Sequence, residues 1–173
     1  MTETERSFER IELADLKKLV EIALTDLNDL FGRKHDLTNL YRDRLLALAF
    51  CQGAAEHFVR PGRGVKDFDV WAFFSNNPQK SFPYRRRGKR DFGPSKFGRH
   101  PSDHGYAGRR VDILGRDISV SIGETPEVAI RRYLSTYPTK SARLLAMRPV
   151  VLLTPPELTG KVIWDPINDC RLR

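Results

Sequence analysis

The sequence predicts an α/β chain, or α+β with a small mixed β-sheet flanked by helices. Three observations carry this expectation. An apolar stripe runs through residues 12–31, where Leu13, Leu16, Val20, Ala23, Leu27 and Leu30 recur at steps of three and four. An alternating run at 65–74 sets Phe68, Val70, Ala72 and Phe74 on one side, with Asp67, Asp69, Trp71 and Phe73 on the other. Short apolar stretches at 45–51, 150–153 and 161–164 have the length of strands. With 173 residues the chain has the size of one domain, and residues 1–173 are expected to form a single unit.

Taken in order, the first helix covers 12–31 and Gly32 supplies its stop. Its stripe suits packing on the chain's own core, with a protein partner docking through helix 12–31 as the alternative. Asp36 or Thr38 caps a second helix through Leu40, Leu45 and Leu46, which runs into the apolar stretch at 45–51 and ends as a buried strand. Gln52-Gly53-Ala54-Ala55 breaks that run and opens a short helix through His57 and Phe58, and Pro61-Gly62-Arg63-Gly64 is a turn. The strand at 65–74 follows, its apolar side turning the acidic side out of the core. Residues 75–107 lack either period and carry Gly88, Gly93, Gly98 and Gly105 with Pro78, Pro83, Pro94 and Pro101, which predicts a long loop insertion, functional or disordered. Val111-Asp112-Ile113-Leu114, Gly115-Arg116 and 117–122 predict a hairpin with a two-residue glycine turn. Thr125-Pro126 starts a helix to Tyr137, a shorter helix covers 141–147, and 150–153 and 161–164 are late strands.

Several classes are excluded or disfavoured. No run approaches the roughly twenty apolar residues of a membrane helix. Residues 1–10 are polar and acidic, which predicts no secretory signal. Two cysteines, Cys51 and Cys170, are too few for a disulfide scaffold, so a cytoplasmic location is expected. Cys51 lies in an apolar run and reads as a buried small side chain. Trp71 and Trp164 read as core and His57 as packed or surface. His100, Asp103 and His104 lack a fourth ligand for structural zinc.

Charge is uneven. Lys and Arg number 30 against 22 acids, a net charge of +8. Residues 79–116 hold eleven of the basic side chains and three acids, so this segment alone accounts for the net charge. An anionic partner is expected there.

Asp67 and Asp69 stand two apart on a strand and share a face, and Asp112 lies in a second apolar strand. Each acid alone suits a strand-start cap or a solvated edge. Together they repel and call for a cation between them, and hard Mg²⁺ or Mn²⁺ suits carboxylate oxygen.

The run Cys51-Gln52-Gly53-Ala54, then Asp67-Phe68-Asp69-Val70, then Val111-Asp112-Ile113 resembles the DNA polymerase β-like nucleotidyltransferase superfamily. That family follows its first strand with a glycine–serine or glycine–glycine turn, then a DxD pair, then a third acid on the next strand. The resemblance spans 45–74 and 108–122, under a third of the chain. It implies a small nucleotidyltransferase-like domain that moves an NMP from an NTP to a hydroxyl acceptor. It implies that Asp67 and Asp69 hold both metals, that Asp112 holds the one activating the acceptor, and that Gly53 lets the backbone approach the triphosphate. Gln52, Ala54 and Lys66 complete the nucleotide-binding candidates. Ala54 departs from the family pattern, because a serine hydroxyl that would grip phosphate is missing; Gln52, a backbone N–H or an arginine is left to replace it.

Arg85, Arg86, Arg87, Lys89, Arg90, Arg109 and Arg110 are the nucleic-acid candidates. Tyr84, Phe92, Phe97 and Tyr106 among them suit stacking on unpaired bases, so RNA such as tRNA is the expected acceptor, against the alternative of a merely solvated charged face. Small members of the superfamily include toxin and antitoxin partners. The competing readings are a non-catalytic binding protein of the same fold and a metal-dependent nuclease or phosphodiesterase. A glycosyltransferase DxD is disfavoured by the short chain.

Overall fold

A computed structural model describes residues 4–169. The first helix, α1 (Leu13–Arg33), buries Leu16, Leu19, Ala23, Leu27, Leu30 and Phe31. It starts where the Asp15 side chain accepts the Glu12 N–H at 2.8 Å and runs past Gly32 by one residue. Leu13, expected on the inner stripe, is 55 % exposed. After α2 (His35–Tyr41) and a 3-10 turn (Arg42–Arg44), the chain enters β1 (Leu45–Cys51) and then α3 (Gln52–Val59). The remaining elements are β2 (Phe68–Ser75), β3 (Gly88–Asp91), β4 (Arg110–Ile118), α4 (Pro126–Thr136), α5 (Lys140–Ala146), β5 (Val150–Leu152), β6 (Val162–Trp164) and α6 (Pro166–Asp169). Cys170 lies outside the described residues. Thr125 and Thr139 cap α4 and α5 by accepting the N–H groups of Val128 and Ala142 at 3.3 and 3.1 Å.

The six strands form one mixed sheet in the order β3-β4-β2-β1-β5-β6. Only β2 and β4 run parallel, and the other neighbouring pairs are antiparallel. Because side chains alternate across a pleated strand, this sheet has two faces and both are covered. Phe50, Phe68, Val70, Phe74, Val111 and Ile113 pack under α1, α2 and α3. Ala49, Cys51, Trp71, Phe73 and Leu152 pack under α4 and α5. The face carrying Asp67 and Asp69 is therefore not turned away from the core along its length. Trp71 and Phe73 on that face are 4 % and 0 % exposed, and the strand reaches solvent at its ends, at the two aspartates and at Ser75. A strand buried on both faces reads as a continuous apolar run, and VWAFF at 70–74 is one.

Two further expectations are corrected. Residues 110–118 form a single strand, not a hairpin. Gly115 lies within it because a Cβ there would come within 2.3 Å of the Phe82 ring; the missing side chain admits Phe82 to the core, where it stacks on Phe74 at 4.4 Å. The segment 75–107 is no plain loop. It supplies the edge strand β3 and three core rings, Phe82, Phe92 and Phe97. The Asp91 carboxylate ties it down by accepting the N–H groups of Gly93, Ala107 and Gly108 at 2.8, 2.6 and 2.9 Å. Among the described residues no helix is long and apolar enough to cross a membrane.

Candidate active site

Asp69 and Asp112 are direct partners in the parallel β2–β4 register. Directly paired residues point to the same face, and the row continues to Cys51 on one side and Lys89 on the other. One pleat earlier, before β2 begins, Asp67 lies beside Arg110. The three aspartates that the sequence singles out thus share one end of one sheet face. Asp112 is 2 % exposed, beneath Arg110. Arg110 bridges the set: its Nη2 donates to Asp67 at 3.0 Å, its Nε to Asp112 at 3.1 Å and its Nη1 to Asp103 at 3.4 Å. Arg87 stands 4.0 Å from Asp112.

Negative charge remains in excess. The Asp69 carboxyl is pushed up to about 7, first by burial, then by the charges of Asp67 and Asp112, with Arg87 and Arg110 opposing. Burial, then the Asp69 charge, raises the Cys51 thiol well above its usual range, which makes it a packed side chain and no nucleophile.

A cleft of about 300 Å³ opens on Asp67 and Asp69. Its floor is the strand-to-helix turn Gln52-Gly53-Ala54, where backbone N–H groups start α3. Gln52 takes a φ of 64°, a left-handed conformation uncommon outside glycine. Gly53 keeps negative φ, and its lack of a side chain admits Arg63, whose Nε lies 2.9 Å from where a Cβ would sit. Arg6, Arg63, Lys66, Arg87 and Arg148 line the cleft as cations, while Trp71, Leu114 and Leu144 form an apolar wall. Glu56 on α3 accepts from Arg148 and pairs with Arg63 at 3.4 Å, which fixes both guanidinium groups over the turn.

Most of these cations come from outside 79–116; only Arg87 belongs to that segment. Sequence reasoning named Lys66 but missed Arg6, Arg63, Arg148 and Glu56. The available signal was the grouping of Arg60, Arg63 and Lys66 just ahead of Asp67. His57 is the buried anchor of the turn at 61–64, at 2 % exposure. Its Nδ1 accepts the N–H groups of Gly62 and Gly64 at 3.1 and 3.0 Å, so the ring proton is on Nε2, which donates to the Glu9 carbonyl at 3.1 Å.

The seven nucleic-acid candidates divide. Arg109 is wholly buried and donates to the carbonyls of Phe97, Glu5, Lys66 and Thr4, lacing the N-terminal segment to the cleft wall; it cannot reach a polyanion. Arg86 and Arg90 cross to the other face and pair with buried Asp26, Arg90 also with Asp29. Arg110 belongs to the aspartates. Arg85, Arg87 and Lys89 stay exposed. Phe92 and Phe97 lie in the core and cannot stack on bases, whereas Tyr84 is 45 % exposed between the guanidinium groups of Arg85 and Arg116. Asp103 serves Arg110, and His100 Nδ1 accepts the Ser102 N–H at 3.1 Å.

The donor set at the aspartates is all oxygen and hard, which fits Mg²⁺ or Mn²⁺. Among the described residues no three His, Cys, Asp or Glu side chains close on one point as a cage. Mg²⁺ is ordinarily held by one or two carboxylates together with substrate phosphates, a pattern this arrangement can meet. Compared with known protein families, curated proteins and solved structures, the chain matches none of them.

Proposed function

We propose that this chain is a divalent-cation-dependent nucleotidyltransferase that moves an NMP from an NTP onto a hydroxyl acceptor, with RNA such as tRNA as the acceptor class. One observation supports this above the others: Asp69 and Asp112 are register partners, with Asp67 one pleat away, beside a cleft lined by cations and by the opening turn of α3. In such a transfer the acceptor oxygen bonds to the α-phosphorus, the bridge to the β-phosphate breaks, the hydroxyl proton passes to water and pyrophosphate leaves. Asp67, Asp69 and Asp112 would hold Mg²⁺ or Mn²⁺, which when bound lowers the hydroxyl pKa and neutralises charge on the leaving group.

The chain's own residues do the positioning. Arg63, Lys66 and Arg148 take the place of the hydroxyl that Ala54 lacks, with Arg guanidinium offering phosphate a two-pronged fork. Backbone N–H groups at Gly53 and Ala54 add the positive end of α3. Trp71, Leu114 and Leu144 give a base an apolar surface and keep water from that side. Arg85, Arg87, Lys89 and Tyr84 lie on the edge-strand side of Asp112, where an anionic acceptor would approach.

A non-catalytic binding protein of the same fold is the second reading, favoured by Ala54 and by Arg110 standing among the carboxylates. The two part in one assay. Incubated with α-³²P-labelled NTPs, Mg²⁺ and total RNA, an enzyme transfers label, and Asp67→Ala or Asp69→Ala abolishes the transfer. Nucleotide binding without transfer supports the second reading. Labelling that survives both substitutions removes the aspartates from the chemistry.

A further inference from the structure

Arg110 differs from every other cation near the aspartates in lying among them. Its three nitrogen groups go to three carboxylates from three parts of the chain: Asp67 ahead of β2 at 3.0 Å, Asp112 within β4 at 3.1 Å, and Asp103 on the loop before β4 at 3.4 Å. The sequence builds this locally. Residues 110 and 112 are two apart on one strand and share a face, and the parallel register brings Asp67 alongside Arg110. The Arg110 side chain is 25 % exposed, so it has room to move, while the Asp112 side chain is buried and has none. The oxygens it occupies on Asp67 and Asp112 are ones a divalent cation would need. Asp103 is outside that trio and outside the cleft wall.

We infer that Arg110 is a tethered competitor of the divalent cation. Without the cation its guanidinium neutralises Asp67 and Asp112 and keeps the two carboxylates together. Cation binding displaces it, and Asp103 retains it beside the cleft as a positive charge now able to face phosphate. Two consequences follow from mass action. The apparent cation affinity is reduced by the fraction of molecules in which Arg110 is released; a guanidinium engaged about nine-tenths of the time weakens it about tenfold. Cation and nucleotide binding are also coupled, because the first frees a charge that the second can use.

This inference rests on the reading of the aspartates as a cation site, and the test separates the two. Mn²⁺ binding to the nucleotide-free full chain is titrated by electron paramagnetic resonance for wild type, Arg110→Gln, Arg110→Lys and Arg87→Gln. Arg110→Gln is expected to bind Mn²⁺ about tenfold more tightly. Arg110→Lys should fall between, since a point ammonium cannot span three carboxylates as a planar fork does. Arg87→Gln removes the same charge from 4.0 Å away without vacating the carboxylate oxygens, and should change affinity less than about twofold. If Arg110→Gln is poorly folded alone, Mn²⁺ should raise its melting temperature by more than it raises that of wild type. Equal affinity in wild type and Arg110→Gln, or an equal gain from Arg87→Gln, overturns the competitor and leaves the cation site standing. Absence of Mn²⁺ binding in all four proteins overturns both.

Discussion

Asp69→Asn is expected to abolish nucleotidyl transfer and, in the same protein, to stabilise the fold above neutral pH. The Asp69 carboxyl is raised to about 7 by burial and by the charges of Asp67 and Asp112, against about 3.9 in an unfolded chain. The folded state therefore keeps a proton that the unfolded state gives up. The associated stability is fully present below pH 4 and is lost as the pH rises through 7. Above that range the native protein carries a buried anion beside two others. An amide carries no such cost and can donate to its neighbours. A displacement of this size corresponds to a gain of about 2–4 kcal/mol for Asp69→Asn at pH 8. Urea denaturation at pH 4, 6 and 8 with chelator present checks it: the two proteins should agree at pH 4 and diverge by pH 8. Mg²⁺ should close the difference by stabilising only the wild type. A variant that is less stable than wild type at every pH contradicts the account. The pairing of lost chemistry with gained stability is what a site held under electrostatic stress predicts.

The second large effect lies on the opposite face. Asp26 on α1 is 1 % exposed and accepts from Arg86 Nη1 at 2.5 Å and Arg90 Nε at 2.9 Å. Gly88 between them has no side chain, and a Cβ there would come within 2.3 Å of the Asp26 carboxylate. This one acid therefore docks the whole 86–90 segment onto α1. Asp26→Ala leaves two half-buried guanidinium groups without their shared acceptor, and breaking a buried pair from one side costs about 3–5 kcal/mol. Asp29→Ala, whose carboxylate is 50 % exposed, should cost under about 1 kcal/mol. Urea midpoints of the two variants give the comparison. A loss below about 1 kcal/mol for Asp26→Ala would mean that β3 is held by its strand pairing with β4 alone.

The contrast between these two clusters shows which parts of the molecule were legible in the sequence. Regular periods were: the cap and proline before α4, the α1 stripe apart from Leu13, and the apolar run of β1 follow from local pattern, although the second helix ends at Tyr41 and leaves Leu45 and Leu46 to the strand. Gly115 misled because a glycine in an apolar run signals a turn, while its actual role is to make room for Phe82, 33 residues away in the chain. Edge strand β3 was invisible because Gly-Lys-Arg-Asp has no apolar alternation and is held by Asp26 and by β4. The three aspartates were legible through their order and flanks, and β2–β4 pairing brings them together. The cations of the cleft were not, since Arg6, Arg63 and Arg148 are gathered by packing, by Glu56 and by the buried Arg109. A cluster of charge in sequence proved a poor guide to a cluster in space: four of the seven basic candidates are consumed inside the fold.

The account stands most directly on the joint binding of nucleotide and divalent cation at Asp67, Asp69 and Asp112. Melting temperatures taken with each NTP, with Mg²⁺, and with both give the decisive comparison. A ligand at a hundred times its dissociation constant stabilises a folded protein by about 2.7 kcal/mol. The rise with NTP and Mg²⁺ together is expected to exceed the sum of the rises with either alone, and it should vanish in Asp67→Ala. A rise of the same size from NTP without Mg²⁺, retained in Asp67→Ala, would contradict it.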